Sequence, residues 1–196
     1  MYIPKSFNET RLDVLHSLVR QHPLGTVITH DGAGLQANHI PFEIAPASDA
    51  APFGILRAHV ARANPLWQHT GDTLTVFQGP SAYVSPSLYE EKPVSGKVVP
   101  TWNYAVLHAH GRMRAVEDPA WIFALLERLT AQHESARRTP WAVADAPSQF
   151  IDQLLGAIVG IEIVIERLEG KWKMSQNRSQ HDQLAMAADT GLRLAS

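Results

Sequence analysis

The stretch "GKVVPTWNYAVLHAHGRMRAV", residues 96–116, decides the reading of the fold. It opens as a Pro-containing loop and then alternates apolar and polar residues, the period-two signature of a strand with one covered face. The strand reads as about residues 101–116. Within nine residues it carries Trp102, Asn103, Tyr104, His108 and His110. A plain core has little use for so many ring-bearing, hydrogen-bonding side chains, whereas a ligand cleft does.

Further strands and helices surround it. "LGTVITH" (24–30), the turn "DGAG" (31–34) and "LQANHIPFEI" (35–44) read as a hairpin, with Pro41 placing its second strand at an edge or bulge. "FGILRAHV" (53–60) and "DTLTVFQG" (72–79) read as strands, and 61–71 as a short helical turn. "GIEIVIERLEGKWKMS" (160–175) sets Ile161, Ile163 and Ile165 against Glu162, Val164 and Glu166, a strand with one wet face, bent or interrupted at Gly170. Helices are expected at about 8–21, opened by a capping box at Ser6–Glu9, at 118–134 with Asp118 as N-cap, at 146–159, and at about 177–191. Residues 80–100, with four prolines, read as a long binding loop. Short connections and alternating strands predict an α+β fold, an antiparallel barrel decorated by helices, as a single domain over 1–196. There is no Gly-rich phosphate loop and no βαβ rhythm, which excludes a dinucleotide-binding fold.

Composition narrows the function classes. Of 196 residues, 45% are hydrophobic, enough for a sizeable core. There is no cysteine, so disulfides, thiolate chemistry and Cys-based zinc sites are excluded. No apolar leader and no run of about 18 apolar residues occurs, and a cytoplasmic protein without membrane contact is expected. The formal net charge is −2. That balance does not point to DNA, though DNA binding stays open.

Four constellations carry chemistry, each with a plainer reading beside it. In "RAHVARANP" (57–65), Arg57 and His59 share a strand face, and Arg62 and Asn64 follow in the turn. Guanidinium forks and helix-start amides suit a phosphate; alternatively Asn64 caps the turn and Arg62 lies in solvent. "HAH" (108–110) places two imidazoles on one face, able to chelate a metal or to serve as hydrogen-bonded barrel residues, and no metal is assigned. "TWNY" (101–104) suits a planar heteroaromatic ring, or Trp102 simply plugs the barrel. "GKWKMSQN" (170–177) puts Lys171 and Lys173 on one face and Trp172 on the other, either meeting an anion or forming a solvated strand end. No paired carboxylates and no nucleophile elbow stand out.

Taken together, "MYIPKSF", "ANHIPF", "LRAHVARANPLW", "VFQGPSAYVSPSLY", "KVVPTWNYAVLHAHG" and "IVGIEIVIERLEGKWKMSQNR" resemble the PaiB-type proteins, described as FMN-binding negative transcriptional regulators of bacteria. The resemblance covers residues 1 to about 180. It implies the FMN-binding split β-barrel shared with pyridoxamine-phosphate oxidases and flavin reductases, a homodimer with FMN at its interface. It also implies the cofactor-binding set Arg57, His59, Arg62, Asn64, Trp102, Asn103, Lys173 and Gln176. The oxidases' Trp-x-x-x-Arg pattern at the last strand appears here as Trp172 with Gln176, and their Ser-Arg-Lys as Ala61-Arg62-Ala63. The function implied is an FMN-binding regulator. A flavin-dependent oxidoreductase stays open, as does a haem or small-metabolite binder using His59, His108 or His110.

Overall fold

The Ser6–Glu9 spacing does not open the first helix. In the structure, a computed structural model that describes residues 1–192, the Glu9 carboxylate instead accepts the Arg11 backbone N–H at 2.8 Å and its guanidinium at 2.9 and 3.1 Å. Asn8–Glu9 form a short strand, β1, and helix α1 begins only at Leu12 and ends at Gln21. Residues 193–196 of the expected domain lie outside the described residues.

The hairpin forms as read, from β2 (Leu24–Asp31) and β3 (Gly34–Pro41), with Leu24 opposite Pro41 and Asp31 opposite Gly34. Pro41 ends the strand, because it cannot donate to a ladder, and the chain resumes as β4 (Glu43–Ala45). Strand β5 spans Ile55–Ala61 and β6 spans Asp72–Val84, five residues beyond its expected end. The 80–100 segment is thus part strand, part a short helix α2 (Glu91–Val94). Strand β7 (Thr101–Val116) matches its expected bounds. Helix α3 (Pro119–Glu134) is capped by the Asp118 carboxylate on the Ala120 N–H at 2.9 Å. Helix α4 spans Ser148–Gly156, β8 spans Ile158–Lys173, and α5 (Gln180–Thr190) ends on a left-handed Gly191, φ 72°.

The strands join in one sheet in the order β3-β2-β6-β7-β8-β5-β4, with β1 paired to β8. The chain divides into two compact units. Unit 1 comprises Met1–His22, Val76–His108 and the chain from Leu168; unit 2 comprises Pro23–Thr75 and Ala109–Arg167. In unit 1, α1 buries Val14, Leu15, Leu18 and Val19. A Cβ on Gly79 would stand 2.7 Å from Leu18 and 3.1 Å from Ala105, so glycine there permits the close approach of α1. In unit 2, Leu56, Ala58 and Val60 of β5, Ile161, Ile163 and Ile165 of β8, and Ile122 and Leu125 of α3 are buried. Burying each large side chain stabilises by roughly 1.5–3 kcal/mol.

Two readings of the last strand are corrected. It is continuous through Gly170, where the missing side chain admits the Glu9 carbonyl, 2.7 Å from a built Cβ. And Glu162 is not on a wet face: it is 3% exposed, because it meets two arginines.

Candidate functional site

In unit 2 the expected phosphate ligands form internal bonds. Arg57 and His59 lie on one face of β5, as their spacing predicts. The Arg57 Nε–H donates to Glu162 Oε1 at 2.9 Å, and the other Glu162 oxygen takes the Arg114 guanidinium. Arg62 donates to Glu117 at 2.7 Å and to the carbonyls of Gly156 and Ile158 at 3.1 and 3.3 Å. Asn64 Oδ1 caps the following turn by accepting the Leu66 N–H at 3.0 Å, and its Nδ2 donates to Asn38 at 3.0 Å. Each guanidinium therefore already has a carboxylate, and a phosphate here would have to compete with Glu162 or Glu117. His59 differs. Its Nδ1 is buried without a partner, and burial alone pushes its pKa down, favouring neutral imidazole. It lines a cavity of about 320 Å³ with Leu126, Leu129, His133 and Trp141.

In unit 1 the remaining expected residues gather at the ends of β7 and β8. Strand alternation puts Trp102, Tyr104 and His108 on the outer face of β7 and Asn103 on the inner one. Trp102 is 56% exposed and meets Tyr83 edge to face, ring centres 6.1 Å apart. Asn103 is 2% exposed, and its Oδ1 accepts the Ser175 hydroxyl at 2.9 Å. Lys173 Nζ donates to Thr101 Oγ1 and to the Trp102 carbonyl, both at 2.5 Å. Gln176 closes the chain reversal after β8, accepting the Met174 N–H at 2.8 Å and donating to the Trp172 carbonyl. Within that reversal Ser175 holds φ 60°, a left-handed conformation costly for a side-chain-bearing residue.

Trp102 and Tyr104, with Gln78, Gly79 and Ser81 of β6, line an open cleft of about 450 Å³. Aromatic faces beside amide and hydroxyl groups suit a planar heteroaromatic ring. Lys171 lies 5.4 Å over the Tyr104 ring. His108 and Glu169 bring ligand atoms within 4.8 Å of each other, and Glu169 also accepts the N-terminal amine at 3.2 Å. Sequence reasoning did not single out Tyr83, Tyr89 or Arg178. None has a spacing signal, since their partners lie far along the chain.

Residues 1–167 match a family model described as "Putative FMN-binding domain". An uncharacterised protein of Emericella nidulans is 37% identical over 93% of this chain and 87% of its own length. "Protease synthase and sporulation protein PAI 2" of Bacillus subtilis is 32% identical over 93% of this chain and 85% of its own. The relatives thus include fungal as well as bacterial proteins. Among solved structures, the flavocytochrome Anf3 from Azotobacter vinelandii aligns with a TM-score of 0.62 at 11% identity, over 93% of this chain and 78% of that one. The FAD and heme binding protein from Mycobacterium smegmatis aligns at 0.59 and 14%, over 91% and 78%. These likenesses bear out the α+β split-barrel expectation. By the family model over most of its length and by its PAI 2 relative, the chain belongs to the PaiB-type FMN-binding family.

Proposed function

We propose that the protein binds FMN with the isoalloxazine ring against the β6–β7 cleft of unit 1. The observation that carries this reading is Trp102, a large indole left 56% exposed yet fixed edge-on by Tyr83, with its backbone carbonyl tied to Lys173. An exposed aromatic held in one place is a stacking surface. Gln78 and Ser81 offer polar atoms for the ring edge. The donor set therefore fits a flavin, which supplies redox chemistry when bound. The protein would act as a cytoplasmic homodimer whose flavin state is read out in gene regulation, a role that rests on the family resemblance. Among the described residues no helix is long and apolar enough to cross a membrane.

A flavin-dependent oxidoreductase is the second reading, favoured by the openness of the cleft, which lets another reactant reach the ring. The purified protein, mixed with FMN and desalted, should retain flavin absorbance at about one per subunit and elute at the mass of a dimer. Complete loss of flavin on desalting would overturn the proposal. Steady consumption of reduced nicotinamide by the loaded protein would favour the oxidoreductase over the regulator.

A further inference from the structure

Three cations of unit 1, Lys171, Lys173 and Arg178, gather near the end of β8. Lys171 donates to the Tyr2 carbonyl at 3.1 Å and faces the Tyr2 and Tyr104 rings. Lys173 bonds only neutral oxygens. The Arg178 guanidinium lies 4.4 Å over the Tyr89 ring. Among the described residues none of the three forms an ion pair. Neighbouring acids are engaged elsewhere: Glu169 accepts the N-terminal amine at 3.2 Å, Asp182 accepts the Glu90 N–H at 3.0 Å, and Glu90 meets His181 and Ser179 at 3.3 Å.

Lys173 and Arg178 line a cavity of about 230 Å³ with Tyr89, Thr101, Ser175 and Asn177. Tyr89 is 2% exposed, and its hydroxyl is buried without a hydrogen-bond partner. Ser175 is the strained residue of the β8 reversal. Partly buried, uncompensated cations and an orphaned phenol are each unfavourable alone, and one anion relieves both. The Lys173 pKa is lowered, by burial first and then by Lys171 and Arg178. The cavity is smaller than a whole-ligand pocket, which typically runs about 300–1,000 Å³, so it suits a head group.

We propose that this cavity is an anion site taking the phosphate or carboxylate of a small molecule, with Lys173 and Arg178 supplying charge and the Tyr89 hydroxyl a hydrogen bond. The site stands independently of the flavin reading, and its anion comes either from the flavin's own phosphate or from a separate metabolite.

Inorganic phosphate, titrated at constant ionic strength against chloride, is the probe, read by thermal shift and tryptophan fluorescence. Saturable stabilisation is expected, weakened at least tenfold in Arg178→Gln, several-fold in Tyr89→Phe, and largely kept in Arg178→Lys, whose charge survives. FMN and riboflavin binding then identify the source. Competition between phosphate and FMN, with an FMN preference that vanishes in Arg178→Gln, assigns the site to the flavin phosphate. Simultaneous binding of phosphate and FMN assigns it to a separate anion. No phosphate effect beyond chloride, with FMN affinity unchanged in Arg178→Gln, overturns the proposal, whereas phosphate binding without any flavin binding overturns only the flavin reading.

Discussion

Glu162 on β8 lies directly opposite Arg57 on β5 in the antiparallel register and accepts its Nε–H at 2.9 Å. The carboxylate is 3% exposed, and its second oxygen takes Arg114, whose side chain is 66% exposed. A buried carboxylate needs at least one cation. Arg57→Met should therefore cost about 2–3 kcal/mol in urea unfolding, less than a fully buried pair because Arg114 remains. Adding Arg114→Met strands the charge and should bring the loss to about 3–5 kcal/mol. A double variant losing only the ~0.2–1 kcal/mol of an exposed pair would show that Glu162 does not depend on these arginines.

Trp102 and its neighbour Asn103 should separate binding from folding. Trp102→Ala removes the proposed stacking surface from an exposed position, so FMN affinity should fall at least tenfold while unfolding free energy shifts by less than about 1 kcal/mol. Asn103→Ala strands the buried Ser175 hydroxyl and should destabilise by roughly 1–3 kcal/mol. Retained flavin affinity in Trp102→Ala, measured by fluorescence quenching, would move the ring off this cleft.

The alternation of 101–116 made β7 legible to the residue, and Asp118-Pro119 announced α3, because period and caps are local properties. The Ser6–Glu9 capping box failed because Arg11 and the pairing of β1 with β8 outcompete it, and neither is visible at i, i+3 spacing. Glu162 reads as solvent-facing from alternation alone, since its burial depends on arginines 48 and 105 residues away. The site was legible in part. The residue types on β7 and β8 were found, but Tyr89 reaches Arg178 only through tertiary packing, and the engagement of Arg62 by Glu117 has no sequence signature.

Gly111, at the end of the "HAHG" run, is constrained by packing. A Cβ built there would overlap the Val164 carbonyl oxygen of β8 and stand 3.0 Å from Ile163 Cγ2. Backbone cannot yield as a side-chain tip can, so Gly111→Ala should cost about 3 kcal/mol, the upper end of overpacking losses. Gly156→Ala, where nothing lies within 4 Å, serves as the control and should be near neutral. Equal midpoints for the two variants in thermal unfolding would show that β7 and β8 shift apart at little cost.

His59 should make the fold sensitive to mild acid. Burial lowers its pKa in the folded chain, so the unfolded chain takes up the proton first as pH falls. The stability it contributes is thus intact above the ordinary imidazole range, about 6.5. It is lost as pH drops from there toward the folded value, below which the loss levels off. His133 and Glu134 line the same cavity and are present in both proteins compared, so the readout is the difference between wild type and His59→Phe. Wild type should lose melting temperature relative to the variant between about pH 7.5 and about pH 5, a window that brackets the ordinary imidazole range of about 6.5. A difference that stays flat with pH would mean that His59 finds a hydrogen-bond partner or solvent in solution, and its unpaired Nδ1 would then no longer single it out as a ligand for haem or a small metabolite.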